Sequence, residues 1–248
     1  MPDRVVVITG ASGGIGAALA ETLARRGDSL ALIARREHAL REVAARCGER
    51  THVIVADVTL RDEVRRAVDS TLDRFGRIDV WVNNVGQGIS RAPSQLTDDD
   101  IDDMMRLNVK SALYGMQEVL PHFLSRRTGH VINVSSMLGR VPYVADRSAY
   151  SGAKHFLNAL TATFRAEVQQ TCPDIQFSLV SPGVVRTEFG LNARHGGPDS
   201  RPMPDSQSAE EVAAVVADLV ESRRPDVYTR KGAHERVVGY YASLAGDP

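Results

Sequence analysis

Tyr150 and Lys154 stand four apart, and the apolar stripe that follows, Phe156, Leu157, Leu160 and Phe164, predicts a helix over 149–170. On a helix, positions i and i+4 share a face one turn apart, so an ammonium lies beside a phenol. A free tyrosine has a pKa of about 10 and is phenolate at roughly one part in a thousand at neutral pH. A cation within ~4–6 Å lowers that pKa by about 1–3 units. At an effective dielectric of ~20, a charge ~4 Å away is worth about 4 kcal/mol. That is about three pKa units, so Lys154 alone is expected to bring Tyr150 near 7, where it can act as acid and base. Taken alone, the same spacing fits two residues on a solvated helix face.

A second chemical feature opens the chain. Val5–Ile8 is a continuous β-branched run, the pattern of a strand buried on both faces. The turn Thr9-Gly10-Ala11-Ser12-Gly13-Gly14-Ile15-Gly16 follows, and Ile15, Leu19 and Leu23 then form a helical stripe. Glycines let the backbone turn tightly and approach a phosphate. The helix start presents free N–H groups and partial positive charge, so Gly10, Ser12, Gly13, Gly14, Ile15 and Gly16 are candidates to hold a dinucleotide's pyrophosphate. Gly10–Gly14 also reads as G-x-S-x-G, a serine-hydrolase nucleophile elbow with Ser12 as nucleophile. That elbow needs several strands before it, and only one precedes Ser12. Gly10, Gly13 and Gly16 equally fit a G-x-x-G-x-x-G turn, found in longer chains that carry an added substrate domain.

The elements that must position these groups alternate. Strand-like runs recur at 30–33, 52–56, 80–82, 130–134, 177–180 and 226–229, with helical segments at 37–46, 60–74, 98–125, 149–170 and 208–222. Capping-box spacing marks three helix starts, Thr59/Asp62, Thr97/Asp100 and Ser208/Glu211. Strands alternating with helices imply an α/β fold, a parallel sheet covered on both faces. Neither repeat nor linker interrupts residues 1–248, which reads as a single domain. The stretch 190–207 holds three glycines, three prolines and few apolar residues, and is expected to be a mobile lid over the substrate.

The second strand ends Ile33-Ala34 and is followed by Arg35-Arg36. An NAD site usually has an acidic residue there for the ribose hydroxyls, whereas a guanidinium clamps a 2′-phosphate. Cations at a helix start oppose the macrodipole, so local stability does not account for the pair. Arg35 and Arg36 therefore favour NADP(H), and Glu37 leaves NAD(H) open.

With these motifs in order, the chain resembles a short-chain dehydrogenase/reductase of the compact single-domain kind over nearly its whole length. The resemblance rests on Thr9-Gly10-x-x-x-Gly14-Ile15-Gly16, Asp57-Val58, Asn83-Asn84-Val85-Gly86, Asn108, Ser135-Ser136, Tyr150-x-x-x-Lys154 and Pro182-Gly183-Val184-Val185-Arg186-Thr187. It implies a Rossmann-like doubly wound parallel sheet of seven strands, and hydride transfer between a nicotinamide and a carbonyl or secondary alcohol. By similarity, Tyr150 is the proton donor or acceptor, Ser136 holds the substrate oxygen, and Lys154 tunes Tyr150 and binds the nicotinamide ribose. Asn108 would anchor a relay water, and Asp57 and Val58 would flank the adenine. Asn84 and Gly86 would line the cofactor, and Pro182, Gly183, Val185 and Thr187 the carboxamide. Ser135 stays the alternative to Ser136. Val85 stands where Ala is common and is expected to crowd the turn. The loop 138–147 looks slightly long and is expected to shape the substrate pocket. Relatives are often homo-dimers or homo-tetramers, and the same is expected here.

Composition narrows the remainder. Hydrophobic residues make up 43% of the 248 and charged residues 25%, as in ordinary globular proteins. A net charge of −1 gives no footprint for nucleic acid or an anionic membrane. No apolar run approaches the ~18–20 residues of a membrane span, and Met1-Pro2-Asp3-Arg4 carries no targeting pattern. Cys47 and Cys172 are too few for a metal or disulfide framework, so a reducing cytoplasm is expected. Asp98–Asp100 read as dipole partners of a helix start and not as metal ligands. His122, His155 and His195 read as isolated. Residues 236–244 could close the pocket or meet a partner subunit. A rival from another class is a catalytically idle nucleotide sensor on the same fold, free to lose Tyr150, Lys154, Ser136 or Asn108, all of which are present.

Overall fold

β1 (Val5–Thr9) is made of β-branched residues only and is buried from end to end. Six further strands join it: β2 (Ser29–Ala34), β3 (Thr51–Val55), β4 (Val80–Asn83), β5 (Gly129–Val134), β6 (Ile175–Ser181) and β7 (Asp226–Tyr228). All pair in parallel, in the order β3-β2-β1-β4-β5-β6-β7. The structure, a computed structural model, describes residues 3–244. Met1-Pro2 and the last four residues of the C-terminal segment lie outside it.

Among the described residues, eight α-helices connect and cover the sheet: α1 (Gly14–Arg26), α2 (Glu37–Cys47), α3 (Arg61–Phe75), α4 (Asp98–Met105), α5 (Ser111–Arg126), α6 (Ser148–Gln169), α7 (Ala209–Ser222) and α8 (Ala233–Leu244). Side chains alternate across a strand, so the sheet sends two sets of residues to opposite layers. Val6, Ile8, Leu30 and Leu32 pack on α1, α2 and α7, against Leu19, Leu23, Leu40, Val212 and Val216. Val7, Ala31, Ile33 and Trp81 pack on α3, α5 and α6, against Val64, Val68, Met116, Phe123 and Val168. Each fully buried Leu or Ile contributes roughly 1.5–3 kcal/mol, so the two layers together hold the sheet. The expected doubly wound architecture is present, including β7.

The chain runs outward from β1 to β3, then returns to lay β4 on the other side of β1. This reversal parts the loops after β1 and β4, and ligands of open α/β sheets bind in that crevice.

Two of the three capping boxes form. Thr97 and Ser208 each accept from the third helical N–H, and Asp100 and Glu211 reach back. Thr59 and Asp62 do not form one. Asp57 Oδ1 accepts the Thr59 N–H at 2.9 Å, and Glu63 accepts the Asp57 N–H at 2.6 Å. This local turn leaves Leu60 before a helix that starts at Arg61. The expected helix over 98–125 is continuous but holds a π-turn at Arg106–Lys110, a feature often found at functional sites.

Candidate active site

The loops at the carboxyl ends of the strands enclose a cavity of about 1290 Å³. The glycine turn forms one end, and Tyr150 and Lys154 line it as well. Gly10 has φ +68° and Gly14 φ +54°, backbone that L side chains rarely adopt. A methyl group on Gly16 would lie 2.4 Å from the Gly10 carbonyl oxygen and 2.6 Å from Asn84 Nδ2. The turn therefore closes only with glycine there. Gly13 precedes α1 with no side chain capping the helix, which leaves its first N–H groups for a phosphate. These features fit a dinucleotide.

Asn84 positions this turn from below. Its Nδ2 donates to the Thr9 and Gly10 carbonyls at 3.1 and 3.3 Å, and its backbone N–H donates to Thr9 Oγ1 at 3.0 Å. The amide is thus spent on joining the β1 and β4 loops. Val85 does crowd the turn: a methyl group on Gly10 would meet its Cγ2 at 3.1 Å. Beside the glycine turn the cavity is lined by Ile15, Arg35, Arg36, Asp57 and Val58. Arg36 lies over the glycine turn, with Nε 3.3 Å from Ser12 Oγ and Nη2 3.2 Å from the Ser12 carbonyl. Arg35 stands 3.6 Å from Asp57. Glu37 pairs instead with Arg41, 2.7 Å away and one turn on in α2.

At the other end, Tyr150 and Lys154 are both buried, and Lys154 Nζ lies 5.7 Å from the centre of the phenol ring. Lys154 Nζ donates to the Val134 carbonyl at 3.0 Å. Burial pushes the ammonium down to about 8. Burial also pushes the Tyr150 phenol up to about 12, against a hydrogen bond from Ser136 and the charge of Arg147. The expectation that Lys154 alone brings Tyr150 near 7 is therefore corrected. Spacing places a cation near the ring, but burial of the ionised phenol dominates its pKa.

The two candidate serines separate by their partners. Ser135 Oγ donates to Asn158 Oδ1 at 2.5 Å, away from the phenol. Ser136 Oγ accepts the Leu138 N–H at 3.1 Å, which leaves its proton for Tyr150 or a substrate oxygen. Asn108, fully buried in the π-turn, grips the main chain of Gln87 from both sides: Nδ2 donates to its carbonyl at 3.0 Å and Oδ1 accepts its N–H at 3.1 Å. A methyl group on Gly86 would lie 2.9 Å from Asn108 Oδ1 and 3.4 Å from Lys154 Nζ. Asn108, Gly86 and Lys154 thus meet at one point. Pro182, Gly183, Val185 and Thr187 line the cavity between the two ends. Ser200 Oγ donates to the Val185 and Thr187 carbonyls at 2.7 and 3.0 Å and fixes that strip.

Segment 190–207 holds only turns and single bridges, Ile89 with Arg194 and Val185 with Gln207. It is tied down at Asp100, whose buried carboxylate meets His195 Nε2 at 2.8 Å, Arg194 Nε at 2.6 Å and Arg91 Nη1 at 3.0 Å. The hydrogen bond from His195, with others from Thr97, holds that carboxyl well below the usual range. His195 is thus not isolated, and Asp100 is more than a dipole partner. In α8, the Tyr241 hydroxyl donates to the Arg140 carbonyl at 2.7 Å, so this helix abuts the loop after Ser136. No residue of α8 lines the cavity among the described residues.

Two residues of the wall escaped the sequence reading. The Phe189 ring packs edge-on to Tyr150, centroids 5.6 Å apart, and Arg147 flanks the same phenol. Arg147 stands three before Tyr150, a helical spacing that held the signal. Nothing local marks Phe189.

The chain matches the family model described as short chain dehydrogenase over residues 4–196. It is 35% identical over 188 residues to an uncharacterized oxidoreductase of Staphylococcus epidermidis, covering 75% of this chain and 79% of that one. A short-chain dehydrogenase from Sphingobium yanoikuyae, solved in complex with NADPH, superposes with TM-score 0.81 at 28% identity, covering 97% of this chain and 94% of the other. A short-chain dehydrogenase/reductase from Burkholderia phymatum, solved with NAD, gives TM-score 0.88 at 23% identity over 100% and 99% of the two chains, a likeness of fold. No helix among the described residues is long and apolar enough to cross a membrane.

Proposed function

This chain belongs to the short-chain dehydrogenase family, and on that premise we propose that it is an NADP(H)-dependent oxidoreductase interconverting a carbonyl and a secondary alcohol. The observation that carries the reading is one cavity with an uncapped glycine turn at one end and Tyr150, Ser136 and Lys154 at the other. A bound nicotinamide supplies the hydride for reduction or takes it up in oxidation. In reduction, Tyr150 gives its proton to the substrate oxygen as charge develops there. Ser136 donates a hydrogen bond to that oxygen. Lys154 holds positive charge beside the phenol and reaches toward a ribose, and Asn108 keeps the Gln87 loop in place. The phenol at about 12 keeps its proton at neutral pH, the state that reduction needs.

The 2′-phosphate preference rests on Arg35 and Arg36. Replacing both by alanine is expected to lower the NADPH-to-NADH ratio of kcat/KM by about 10–100-fold, on charge-assisted hydrogen bonds of ~1.5–3 kcal/mol. Steady-state kinetics with both cofactors checks this, and an unaltered ratio contradicts it. The NAD-preferring reading is supported by the engagement of Arg36 with Ser12 and Arg35 with Asp57. We take 190–207 as a lid on a single domain, and the chain as a cytoplasmic homo-oligomer. NADPH oxidation over ketones, aldehydes and quinones tests the activity; no turnover on any carbonyl would favour a nucleotide sensor instead.

A further inference from the structure

Among the cavity's cations, Arg147 stands out for what it lacks. Its guanidinium is wedged between two glycines on separate loops: a methyl group on Gly88 would lie 2.7 Å from Nη1, and one on Gly197 would lie 2.8 Å from Nη2. The site is therefore built around the side chain, with Gly88 on the loop after β4 and Gly197 in segment 190–207. Yet Nη1 is buried with no hydrogen-bond partner among the described residues, and no carboxylate there pairs with the guanidinium. A buried donor left without a partner is costly. The other arginines of this region, Arg91 and Arg194, are answered by Asp100.

Arg147 faces the reacting end. Its charge acts on the Tyr150 phenol. The space at Gly88 that meets Nη1 also meets the Phe189 ring, at 3.1 Å, and that ring packs on Tyr150. Arg147 immediately precedes α6 and lines the same cavity as Tyr150, so a group bound by its guanidinium shares that cavity with a carbonyl held by Tyr150.

We propose that Arg147 is the recognition site for a substrate carboxylate, so that the physiological substrate is a short oxo acid or its hydroxy acid. This rests on the oxidoreductase reading above. A carboxylate in the cavity pairs with the charge of the guanidinium and selects anions over neutral ketones of the same shape.

The experiment measures NADPH oxidation with pyruvate, acetoacetate and levulinate, each beside its methyl ester, for wild type, Arg147→Gln and Arg147→Lys. In wild type at least one acid is expected to exceed its ester in kcat/KM by about tenfold or more. Arg147→Gln collapses that ratio by about 10–100-fold, mainly through the KM of the acid, and Arg147→Lys retains part of it. Independently of turnover, butyrate is expected to raise the melting temperature of the NADPH-loaded wild type above the value with butyramide, and not that of Arg147→Gln. Esters that turn over as well as every acid leave the oxidoreductase reading standing and overturn the carboxylate site, as does an equal loss for acid and ester in Arg147→Gln. If no carbonyl turns over, the oxidoreductase reading fails, and the melting comparison decides the anion site by itself.

Discussion

Tyr150→Phe is expected to lower kcat for carbonyl reduction by about 10²–10⁴-fold, with cofactor affinity close to that of the parent. The substitution deletes one oxygen from a buried ring that packs on Phe189 and stands over Lys154, so the fold loses little. What disappears is the proton donor, and positioned acids and bases contribute typically 10²–10⁴-fold. A fall in kcat and kcat/KM together marks an interaction made only in the transition state. Single-turnover kinetics at saturating NADPH checks this, and a variant within about threefold of the parent sinks the role of Tyr150. The raised phenol pKa adds a direction. Alcohol oxidation needs the phenolate and is expected to rise with pH above neutrality, whereas reduction runs at neutral pH.

Lys154→Met is expected to lose about 10²-fold or more in kcat/KM while melting no lower than the parent at pH 7. The ammonium is buried, with the Val134 carbonyl as its hydrogen-bond acceptor, and its pKa falls from 10.5 to about 8. That depression means its charged form is disfavoured in the fold by about 3 kcal/mol. Removing the charge returns that penalty and loses a hydrogen bond worth about 1–3 kcal/mol. The sign follows from proton binding: between pH 8 and 10.5 the unfolded chain holds more protons at this site, so wild-type stability gains with rising pH there. Tyr150 acts in the opposite sense from pH 10 to 12, where the folded chain keeps its proton longer. Denaturant titrations of both proteins from pH 7 to 10 test this. A variant several kcal/mol less stable than the parent contradicts it.

The sheet was legible because its signals are local. Val5–Ile8 and the runs like it carry strand character in a few residues each, and the glycine turn directly follows the first. Even the short β7, exposed at Asp226, was readable. The hinge between local and tertiary information shows at Thr59, where capping-box spacing is present but the Asp57 carboxylate takes the N–H first. Distant residues meeting at one point left no pattern. Asp100 meets Arg194 and His195 from a segment far along the chain, contacts that no local pattern in the stretch 190–207 shows. The phenol pKa failed for a related reason: four-residue spacing shows that a cation is near, but not how much protein surrounds the pair. Phe189 reaches Tyr150 only after the chain closes over it, whereas Arg147, three residues before Tyr150, is local to it.

The central claim is that hydride passes within this cavity to a carbonyl carbon whose oxygen Tyr150 protonates. It is tested most directly by supplying NADPH deuterated at C4, in each configuration separately, and locating the label in the alcohol formed. One configuration is expected to place deuterium on the carbinol carbon in wild type, at a rate that falls with Tyr150→Phe. An alcohol carrying no label from either configuration, or one labelled as fast by Tyr150→Phe as by wild type, would contradict the account.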